Sequence, residues 1–244
     1  MNARRFLRIG GTLMVIGGVC LLAWVIVVWR WQDPFTALYT TWKQRELARS
    51  YERRLEAFPV RPVQDGASLA ATTEEIRKQA REYRLGVKRG EAIGRIRVPR
   101  LGLNMVLVDG TDDGSLEKGP GLDRRTYMPG EGQLIYIAGH RTTYLAPFAH
   151  IERMRDGDTV SLEVPYATFR YRVYTHRIVA ADDLAVLRSH GREVVELQAC
   201  HPRFFASHRY LVYARLVRIE PRGAPAFRPP SASLAAAPLA SAQG

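Results

Sequence analysis

Three residues suited to acyl-transfer chemistry each stand close to the end or the start of a short apolar stretch. Cys200 follows the run 194–199, and Arg209 comes nine residues later, at the start of another run. His140 comes two residues after a third apolar run, 134–138. Because these runs have the length and composition of strands, the three side chains are expected at the ends of neighbouring strands. A thiol, an imidazole and a guanidinium placed there are the groups needed for acyl transfer through a thioester.

Cys200 is the candidate nucleophile. The chain has two cysteines, and because Cys20 lies in a long apolar run near the N-terminus, a disulfide between them is not expected. An inert buried cysteine is the common alternative for this residue type. The turn-forming Pro202 follows closely, which favours a position at the rim of the fold, where a thiolate can meet a substrate.

Arg209 is the candidate for stabilising negative charge. Residues 201–208 form a loop, and antiparallel pairing across that loop returns Arg209 beside Cys200. A guanidinium there can donate to a tetrahedral oxyanion or hold the substrate carbonyl. Arg203, inside the loop, is the weaker candidate and is expected to meet solvent or distal substrate. A surface arginine that aids solubility is the ordinary alternative for both.

Six histidines compete for the acid–base role: His140, His150, His176, His190, His201 and His208. His201 adjoins Cys200, so on a continuing strand the two side chains face opposite sides. His140 differs from the others because it ends a predicted central strand, and Gly139 before it is expected to leave room for a substrate backbone. On the residues alone, a surface histidine at a strand end is the ordinary interpretation.

Residues 9–29 contain no charged side chain and are long enough to span a bilayer. Arg4, Arg5 and Arg8 precede this run, which favours a cytoplasmic N-terminus and an exported body. A cleaved signal peptide is the alternative, disfavoured by the length of the run and by the lack of a clear small-x-small site after it. We expect residues 1–8 in the cytoplasm and a single plasma-membrane anchor at 9–31.

Composition divides the rest of the chain. Residues 32–89 are rich in helix formers interrupted by prolines, and predict a partly helical extracytoplasmic stalk that packs loosely on the next domain. Thr72 and Glu75 have the spacing of a capping box and predict a helix start there. Residues 221–244 are dominated by Pro, Ala and Ser and are predicted to be disordered.

Residues 90–220 are predicted to form an all-β domain. Turn signals at Pro99, Gly102 and Gly157 separate the strands, and short helical pieces are expected near 115–118 and 146–154. The runs with strand composition are 93–98, 103–108, 134–138, 159–164, 169–179, 194–200 and 210–219. Seven or eight short strands with few helices predict a closed barrel or a sandwich.

Charge and metal-ligand spacing limit the partners. The net charge of +12 suits either nucleic acid or a position beside anionic lipid and acidic envelope polymers. The arginines are scattered and no nucleic-acid-binding motif is present, so nucleic acid is not an expected partner. Neither Cys-x-x-Cys nor His-x-x-x-His occurs, so no metal or other cofactor is expected.

From residue 93 to about residue 217 the chain resembles the sortases, membrane-anchored cysteine transpeptidases of bacterial envelopes. The similar segments are Ile-Gly-Arg-Ile-Arg-Val-Pro at 93–99, Leu-Glu-Lys-Gly-Pro-Gly at 116–121, Ile-Ala-Gly-His-Arg-Thr-Thr-Tyr at 137–144 and Cys-His-Pro at 200–202. The histidine segment and the Cys-to-Arg spacing are the specific signals, and they are most similar to class E. Where the family has a Thr-Leu-x-Thr-Cys strand, this chain has Glu196-Leu197-Gln198-Ala199-Cys200, without either threonine.

The resemblance implies a closed sortase-type β-barrel and a role for each candidate residue. Cys200 is then the nucleophile, His140 the proton donor to the leaving amine, and Arg209 the donor to the oxyanion or substrate carbonyl. It implies cleavage after Thr in a C-terminal Leu-Pro-x-Thr-Gly or Leu-Ala-x-Thr-Gly-like sorting signal of exported proteins. The acyl group then passes to an amine of a cell-wall precursor or a pilin, and membrane lipid contacts the N-terminal helix.

Two alternatives stay open. An L,D-transpeptidase-like cysteine enzyme would show a Ser-x-Gly-Cys-Arg pattern, which is absent around Cys200. A degenerate sortase-fold module that binds peptides or supports pilus assembly without efficient turnover is motivated by the missing threonines. The presence of Cys200, His140 and Arg209 argues against it.

Overall fold

The computed structural model describes residues 3–31, 34–59, 61 and 68–229. Within these residues the chain forms four α-helices and eight strands. The helices are α1 (Ala3–Trp31), α2 (Pro34–Ala57), α3 (Leu69–Gly86) and α4 (Asp113–Leu116). The strands are β1 (Ala92–Val98), β2 (Leu103–Asp109), β3 (Gly121–Leu122), β4 (Leu134–Ala138), β5 (Thr159–Val164), β6 (Ala167–Ala180), β7 (Val194–His201) and β8 (His208–Pro221).

The strands close into a barrel in the order β1-β2-β3-β4-β7-β8-β6-β5, which confirms the predicted fold class. Two neighbouring pairs are parallel, β2 with β3 and β4 with β7, and the other six pairs are antiparallel. In this order β7 lies between β4, which precedes His140, and β8, which contains Arg209. The three candidate residues therefore come from three adjacent strands.

Alternating side chains of the strands fill the barrel. On β7, Val195, Leu197 and Ala199 are fully buried in the main hydrophobic cluster, and on β6 the same is true of Phe169 and Tyr171. Because successive side chains of a strand point to opposite faces, the residues between them on β7 face outward. Glu196, Gln198 and Cys200 therefore share the outer face of the barrel.

The predicted strands agree with the structure except at their ends. β4 and β5 have the predicted bounds, whereas β6, β7 and β8 each extend one to two residues further at one or both ends. The two-residue β3 was not predicted because a strand that short has no periodicity. The helical pieces differ as well: α4 begins two residues before the predicted stretch, and 146–154 contains only the 3₁₀ turn Ile151–Arg153.

The prediction of a loosely packed spacer before the barrel is wrong for α3. Its residues Ile76, Ala80 and Tyr83 belong to the same buried cluster as the barrel interior, and the Tyr83 hydroxyl donates to the Ile93 carbonyl at 3.0 Å. The helix also begins earlier than the predicted capping box. Ser68 is its N-cap, and the Ser68 side chain accepts from the Ala71 amide, so Thr72 lies inside the helix.

Helix α2 packs on the outside of β1 and β2. Leu47 and Tyr51 form a second buried cluster with Ala92, Val106 and Val108. This cluster covers the outer faces of two strands that an exposed stalk would leave in water.

Gln44 of α2 takes the place of a missing strand partner. The short β3 pairs with β2 only at Val108 and Asp109, so β2 has no strand neighbour on that side at Val106. The Val106 amide donates to Gln44 Oε1 at 2.7 Å, and Gln44 Nε2 donates to the carbonyls of Val106 at 3.1 Å and Lys118 at 2.8 Å. One side chain therefore satisfies a buried stretch of backbone and fixes α2 on the barrel.

Helix α1 contains the apolar segment Arg5–Val27, which is 23 residues long. Its most apolar window is not buried against the rest of the protein. By length and composition it can cross a membrane, which suits an anchor.

The predicted disorder after residue 220 is wrong for the part of the tail that the structure describes. After β8 the chain folds back, and the amide of each of Ile219 and Phe227 donates to the carbonyl of the other at 2.9 Å. Residues 230–244 lie outside the described residues.

Glu196 is buried on the outer face of β7. It is 1% exposed because Tyr136 and Tyr213 flank it on the adjacent strands, and the connection from β6 to β7 covers the same face. Burial raises the pKa of Glu196 to about 8, although the Tyr213 hydroxyl and the charge of Arg177 act in the opposite direction. The carboxyl group is therefore largely protonated in the folded protein at neutral pH.

We predict that Gln44→Ala destabilises the protein by about 2 kcal/mol or more, because it leaves buried backbone groups of β2 unsatisfied. Thermal unfolding of the full chain in detergent measures this as a fall of several degrees in the midpoint. Arg49→Ala, on the exposed side of the same helix, is the control and should unfold like the unaltered protein. Equal midpoints for the two variants would show that α2 does not hold β2.

We also predict that Glu196→Gln changes how stability depends on pH. The raised pKa means that Glu196 stabilises the folded state fully below its ordinary value of 4.5 and that this contribution is lost as the pH rises towards 8. Glutamine stays neutral, so the variant does not lose this contribution. As the pH rises from 4.5 to 8, its unfolding midpoint should increase by a few degrees relative to that of the unaltered protein.

The measurement for Glu196 is the unfolding midpoint as a function of pH, with Glu56→Gln as the exposed control on α2. Parallel curves for Glu196→Gln and the unaltered chain would contradict a protonated Glu196.

Candidate active site

Cys200 lies near the end of β7 with a partly exposed side chain and a free thiol. It is on the outer face, next to the barrel rim, because Ala199 before it points into the core. The thiol is therefore within reach of a ligand outside the barrel, as its place before Pro202 suggests.

Arg209 pairs directly opposite Cys200 across the antiparallel β7 and β8, which is the register expected from the loop length. Directly opposed residues of antiparallel strands point to the same face, with Cβ atoms about 4.5–5.5 Å apart. The Arg209 guanidinium donates through Nη1 to the carbonyls of Ala206 at 2.8 Å and His208 at 3.0 Å. These two bonds hold the guanidinium at the loop, and both come from one of its three nitrogens.

His140 comes from the other side of β7. The parallel pairing of β4 with β7 ends at Ala138 opposite Gln198, and the Gly139 amide donates to the Gln198 carbonyl at 3.1 Å. His140 comes two residues after Ala138, and Cys200 comes two residues after Gln198. Since neighbouring strands lie about 4.8 Å apart, the register brings the imidazole and the thiol to the same end of the barrel.

The His140 ring is half-buried beside the Tyr144 ring, with centroids 5.0 Å apart. Its Nε2 atom is buried and has no hydrogen-bond partner in the described part of the chain. Burial lowers the pKa of His140 from its ordinary value, and the charges of Asp113 and Glu117 oppose that shift. The ring is therefore mostly neutral at neutral pH, and its protonated form is a stronger acid than an exposed histidine.

The loop after His140 is held by residues distant in sequence. Tyr144, Leu145 and Ala146 have positive φ angles of 53°, 61° and 38°, a conformation that side chains with a Cβ adopt rarely. The Tyr144 amide donates to Thr36 of α2 and its hydroxyl donates to Glu117, each at 3.1 Å. The first turn of α2 thus helps to fix the segment that carries the imidazole.

Gly139 does not serve the purpose expected from the sequence. A Cβ at this position would lie 2.6 Å from the Phe148 ring and 3.0 Å from Pro147. The space is filled by the protein's own loop, so the glycine allows that loop to pack against the end of β4. The predicted room for a substrate backbone at Gly139 is wrong.

Arg203 is less exposed than its place in the loop suggested. Its side chain is half-buried, its guanidinium lies 5.6 Å from the centre of the Phe204 ring, and its Nε is buried without a hydrogen-bond partner among the described residues. The expectation that it meets only solvent or distal substrate is therefore wrong in part.

Arg141 is the residue that sequence reasoning did not single out. Its side chain is 6% exposed and donates to the Cys200 carbonyl at 3.1 Å and to Glu152 at 2.6 Å. The available signal was its position directly after His140, but the sequence does not show which distant residue a buried arginine would contact.

Three of the other histidines are engaged with neighbours. His201 Nδ1 lies 3.1 Å from the Arg141 guanidinium, and His208 Nδ1 lies 2.9 Å from the Ser207 hydroxyl. The His176 ring stacks on Tyr210 at a centroid distance of 5.8 Å. His140 differs from them in having a buried nitrogen without a partner among the described residues.

The arrangement has the parts for thiol chemistry on a carbonyl. A thiol on the outer face, a guanidinium directly opposite it and an imidazole at the end of the adjacent strand can serve as nucleophile, oxyanion donor and proton carrier. Among the described residues, no group of three or more His, Cys, Asp or Glu side chains is placed to hold a metal ion.

Comparisons with known proteins find sequences and structures similar to this barrel domain. The family model described as the sortase domain matches residues 96–217, half of the chain. Sortase D of Bacillus subtilis (strain 168) is 32% identical over 132 residues, which cover 52% of this chain and 65% of that protein. The chain therefore spans slightly less than two thirds of the length of this relative.

Two solved structures show the same fold. A sortase D5 transpeptidase from Clostridium perfringens has a TM-score of 0.56 at 23% identity, covering 72% of this chain and 98% of that chain. Sortase E from Streptomyces avermitilis has a TM-score of 0.50 at 29% identity, covering 55% of this chain and 93% of that chain. Relatives named sortase D and sortase E both match, so the resemblance to class E stays a prediction. The match to the sortase domain covers half of this chain, and it shows that the chain belongs to the sortase family.

Proposed function

We propose that this chain is a cysteine transpeptidase that cleaves a sorting signal near the C-terminus of exported proteins. The observation that carries the proposal is the pairing of Cys200 directly opposite Arg209, with His140 at the end of the strand on the other side of β7. Membership of the sortase family supports the same activity.

In the first half-reaction the neutral His140 ring takes the proton of the Cys200 thiol, and the resulting thiolate attacks the carbonyl carbon of the scissile peptide bond. A carbon–sulfur bond forms and the carbonyl electrons move to oxygen, which gives a tetrahedral oxyanion. When this intermediate collapses, the carbon–nitrogen bond breaks, His140 gives its proton to the departing amine, and a thioester remains on Cys200. The lowered pKa of His140 favours this proton transfer because the protonated ring is a stronger acid.

In the second half-reaction an amine attacks the thioester carbonyl. The carbon–sulfur bond breaks, the thiolate leaves and His140 takes up the proton that the attacking amine loses. The new amide joins the exported protein to the acceptor, which we propose to be an amine of a cell-wall precursor or a pilin subunit.

Arg209 is proposed to stabilise the oxyanion in both steps. Its Nη1 is engaged by the loop carbonyls, and these bonds orient the guanidinium so that its other nitrogens can donate to the reacting carbonyl. A donor already fixed before the reaction stabilises developing charge without further reorganisation.

The proposed signal is of the Leu-Pro-x-Thr-Gly or Leu-Ala-x-Thr-Gly kind, cleaved after Thr. This rests on the resemblance of the histidine and cysteine segments to class E. The chain departs from the family strand at Glu196 and Ala199, and of these Glu196 is on the same face as the thiol.

A peptide-binding module without turnover is the second candidate, favoured by the same missing threonines. The two candidates differ in whether Cys200 is activated. A peptide vinyl sulfone labels an activated thiol rapidly and an inert thiol slowly.

The function is tested by cleavage of quenched fluorescent peptides that contain either proposed signal. We predict no cleavage or transfer by Cys200→Ala, because the thioester cannot form, and unchanged activity for Cys20→Ala. His140→Ala and Arg209→Ala should each lose about 100-fold or more. Arg209→Lys keeps the charge but loses the planar fork and should also be badly impaired.

Arg203→Ala is the matched control in the same loop and should lose less than about tenfold, because the residue paired opposite Cys200 is Arg209. Turnover by Cys200→Ala would refute the transpeptidase proposal, and slow labelling of the unaltered protein with full peptide binding would favour the module. A larger loss in Arg203→Ala than in Arg209→Ala would move the oxyanion role to Arg203.

We also propose that residues 1–8 are cytoplasmic and that the barrel is on the outer side of the plasma membrane. The support is the arginines that precede the apolar segment of α1. This orientation brings the thiol to exported substrates and to cell-wall amines.

The topology predicts that an export-dependent reporter fused after Gly244 is active. The same reporter fused after Arg8 is the control and should be silent. Activity after Gly244 from a reporter that functions only in the cytoplasm would reverse the proposed orientation.

A further inference from the structure

The hydrogen-bond ladder between β4 and β7 is continued by a side chain. Its last backbone bond runs from the Gly139 amide to the Gln198 carbonyl. Carbonyls two residues apart on a strand point to the same side, so the next acceptor on this side of β7 is the Cys200 carbonyl. The chain turns away after β4, and the backbone donor that would meet this carbonyl is not there.

Arg141 supplies the donor in its place. Its Nη1 atom donates to the Cys200 carbonyl at 3.1 Å, so the guanidinium occupies the position of the next amide in the ladder. The bond connects the residue after His140 to the backbone of the nucleophile, although the two lie 59 positions apart in the sequence.

The Arg141 side chain is buried, and its charge is balanced. It is 6% exposed, and Nη2 donates to Glu152 at 2.6 Å. Nε of Arg141 is buried without a hydrogen-bond partner among the described residues, so the contacts of Nη1 and Nη2 hold the guanidinium in place, since moving it would separate it from the Glu152 carboxylate.

The same guanidinium determines which ring nitrogen of His201 accepts a hydrogen bond. An arginine has donors and no acceptor, so His201 Nδ1, 3.1 Å from Nη1, must be the acceptor. The proton of the neutral His201 ring is then on Nε2. Arg141 therefore fixes the carbonyl of Cys200 and the ring of the residue that follows it.

We propose that Arg141 is a positioning residue, which holds the Cys200 backbone in register with His140 so that the thiol and the imidazole meet the same scissile bond. This inference rests on the proposed transpeptidase function. Displacement of a reacting atom by about 1 Å can cost about 100-fold in rate, so the loss of this bond should lower kcat. Because the Arg141 side chain is 6% exposed, it offers little surface to a substrate, so KM should change little.

The experiment measures kcat and KM of the full chain with the quenched fluorescent peptides, together with the unfolding midpoint of each variant. Arg141→Gln, which cannot make all three contacts, should lose about 30-fold or more in kcat with KM within about threefold. Arg141→Lys should recover part of this loss, because an ammonium donates to the Cys200 carbonyl but lacks the planar fork. Arg153→Gln, an exposed arginine of the adjacent 3₁₀ turn, is the matched control and should behave like the unaltered protein.

A second measurement separates positioning from stability. Arg141→Ala leaves a cavity shaped for a guanidinium, and millimolar guanidinium chloride, well below denaturing concentrations, should raise its kcat by about threefold or more. Arg153→Ala should not respond. A merely structural role would appear as a lower unfolding midpoint with normal kcat for each folded molecule and no rescue.

Two results would overturn the proposal: kcat within twofold of the unaltered protein for both Arg141→Gln and Arg141→Lys, or losses that equal the unfolded fraction. Failure of the proposed function is distinguishable, because it would appear as turnover by Cys200→Ala, or as slow vinyl sulfone labelling of the unaltered protein with full peptide binding, whatever the Arg141 variants do.

Discussion

The position of β7 between β4 and β8 is the constraint on which the site depends. The antiparallel register with β8 sets Cys200 opposite Arg209, and the parallel register with β4 brings His140 to the same end of the barrel. Backbone hydrogen bonds on both sides fix the height of the thiol along the barrel. A slip of one residue on either side would turn the paired side chains to the opposite face, so the register is also a condition of any shared chemistry.

Where a strand of the barrel lacks a backbone hydrogen-bond partner on one side, a polar side chain from another segment takes its place. Gln44 satisfies β2 where β3 is too short to pair with it, and Arg141 satisfies the Cys200 carbonyl after β4 has ended. Both side chains come from segments distant from the strands they complete. Because a buried backbone group without a partner is costly, such contacts link the outer segments to the barrel in addition to apolar packing.

The helices before the barrel connect the apolar N-terminal segment to the site. Helix α2 packs on β1 and β2, and its first turn contacts Tyr144 in the loop that follows His140. Helix α3 contributes to the core itself. The segment predicted as a spacer is thus part of the folded body, and its contacts help to determine where the imidazole lies.

The sequence by itself determined the features that depend on short-range pattern. Alternating and continuous apolar runs predicted seven of the strands, the uncharged run predicted the apolar helix, and the loop after Cys200 predicted its pairing with Arg209, because a hairpin register follows from loop length. The tertiary structure decided which strands lie side by side when they are far apart in the chain. It placed β4 against β7, filled the space at Gly139 with Phe148 and buried Arg141 between two strand ends. These outcomes depend on contacts between distant segments, and local periodicity carries no information about which distant partner a side chain will meet.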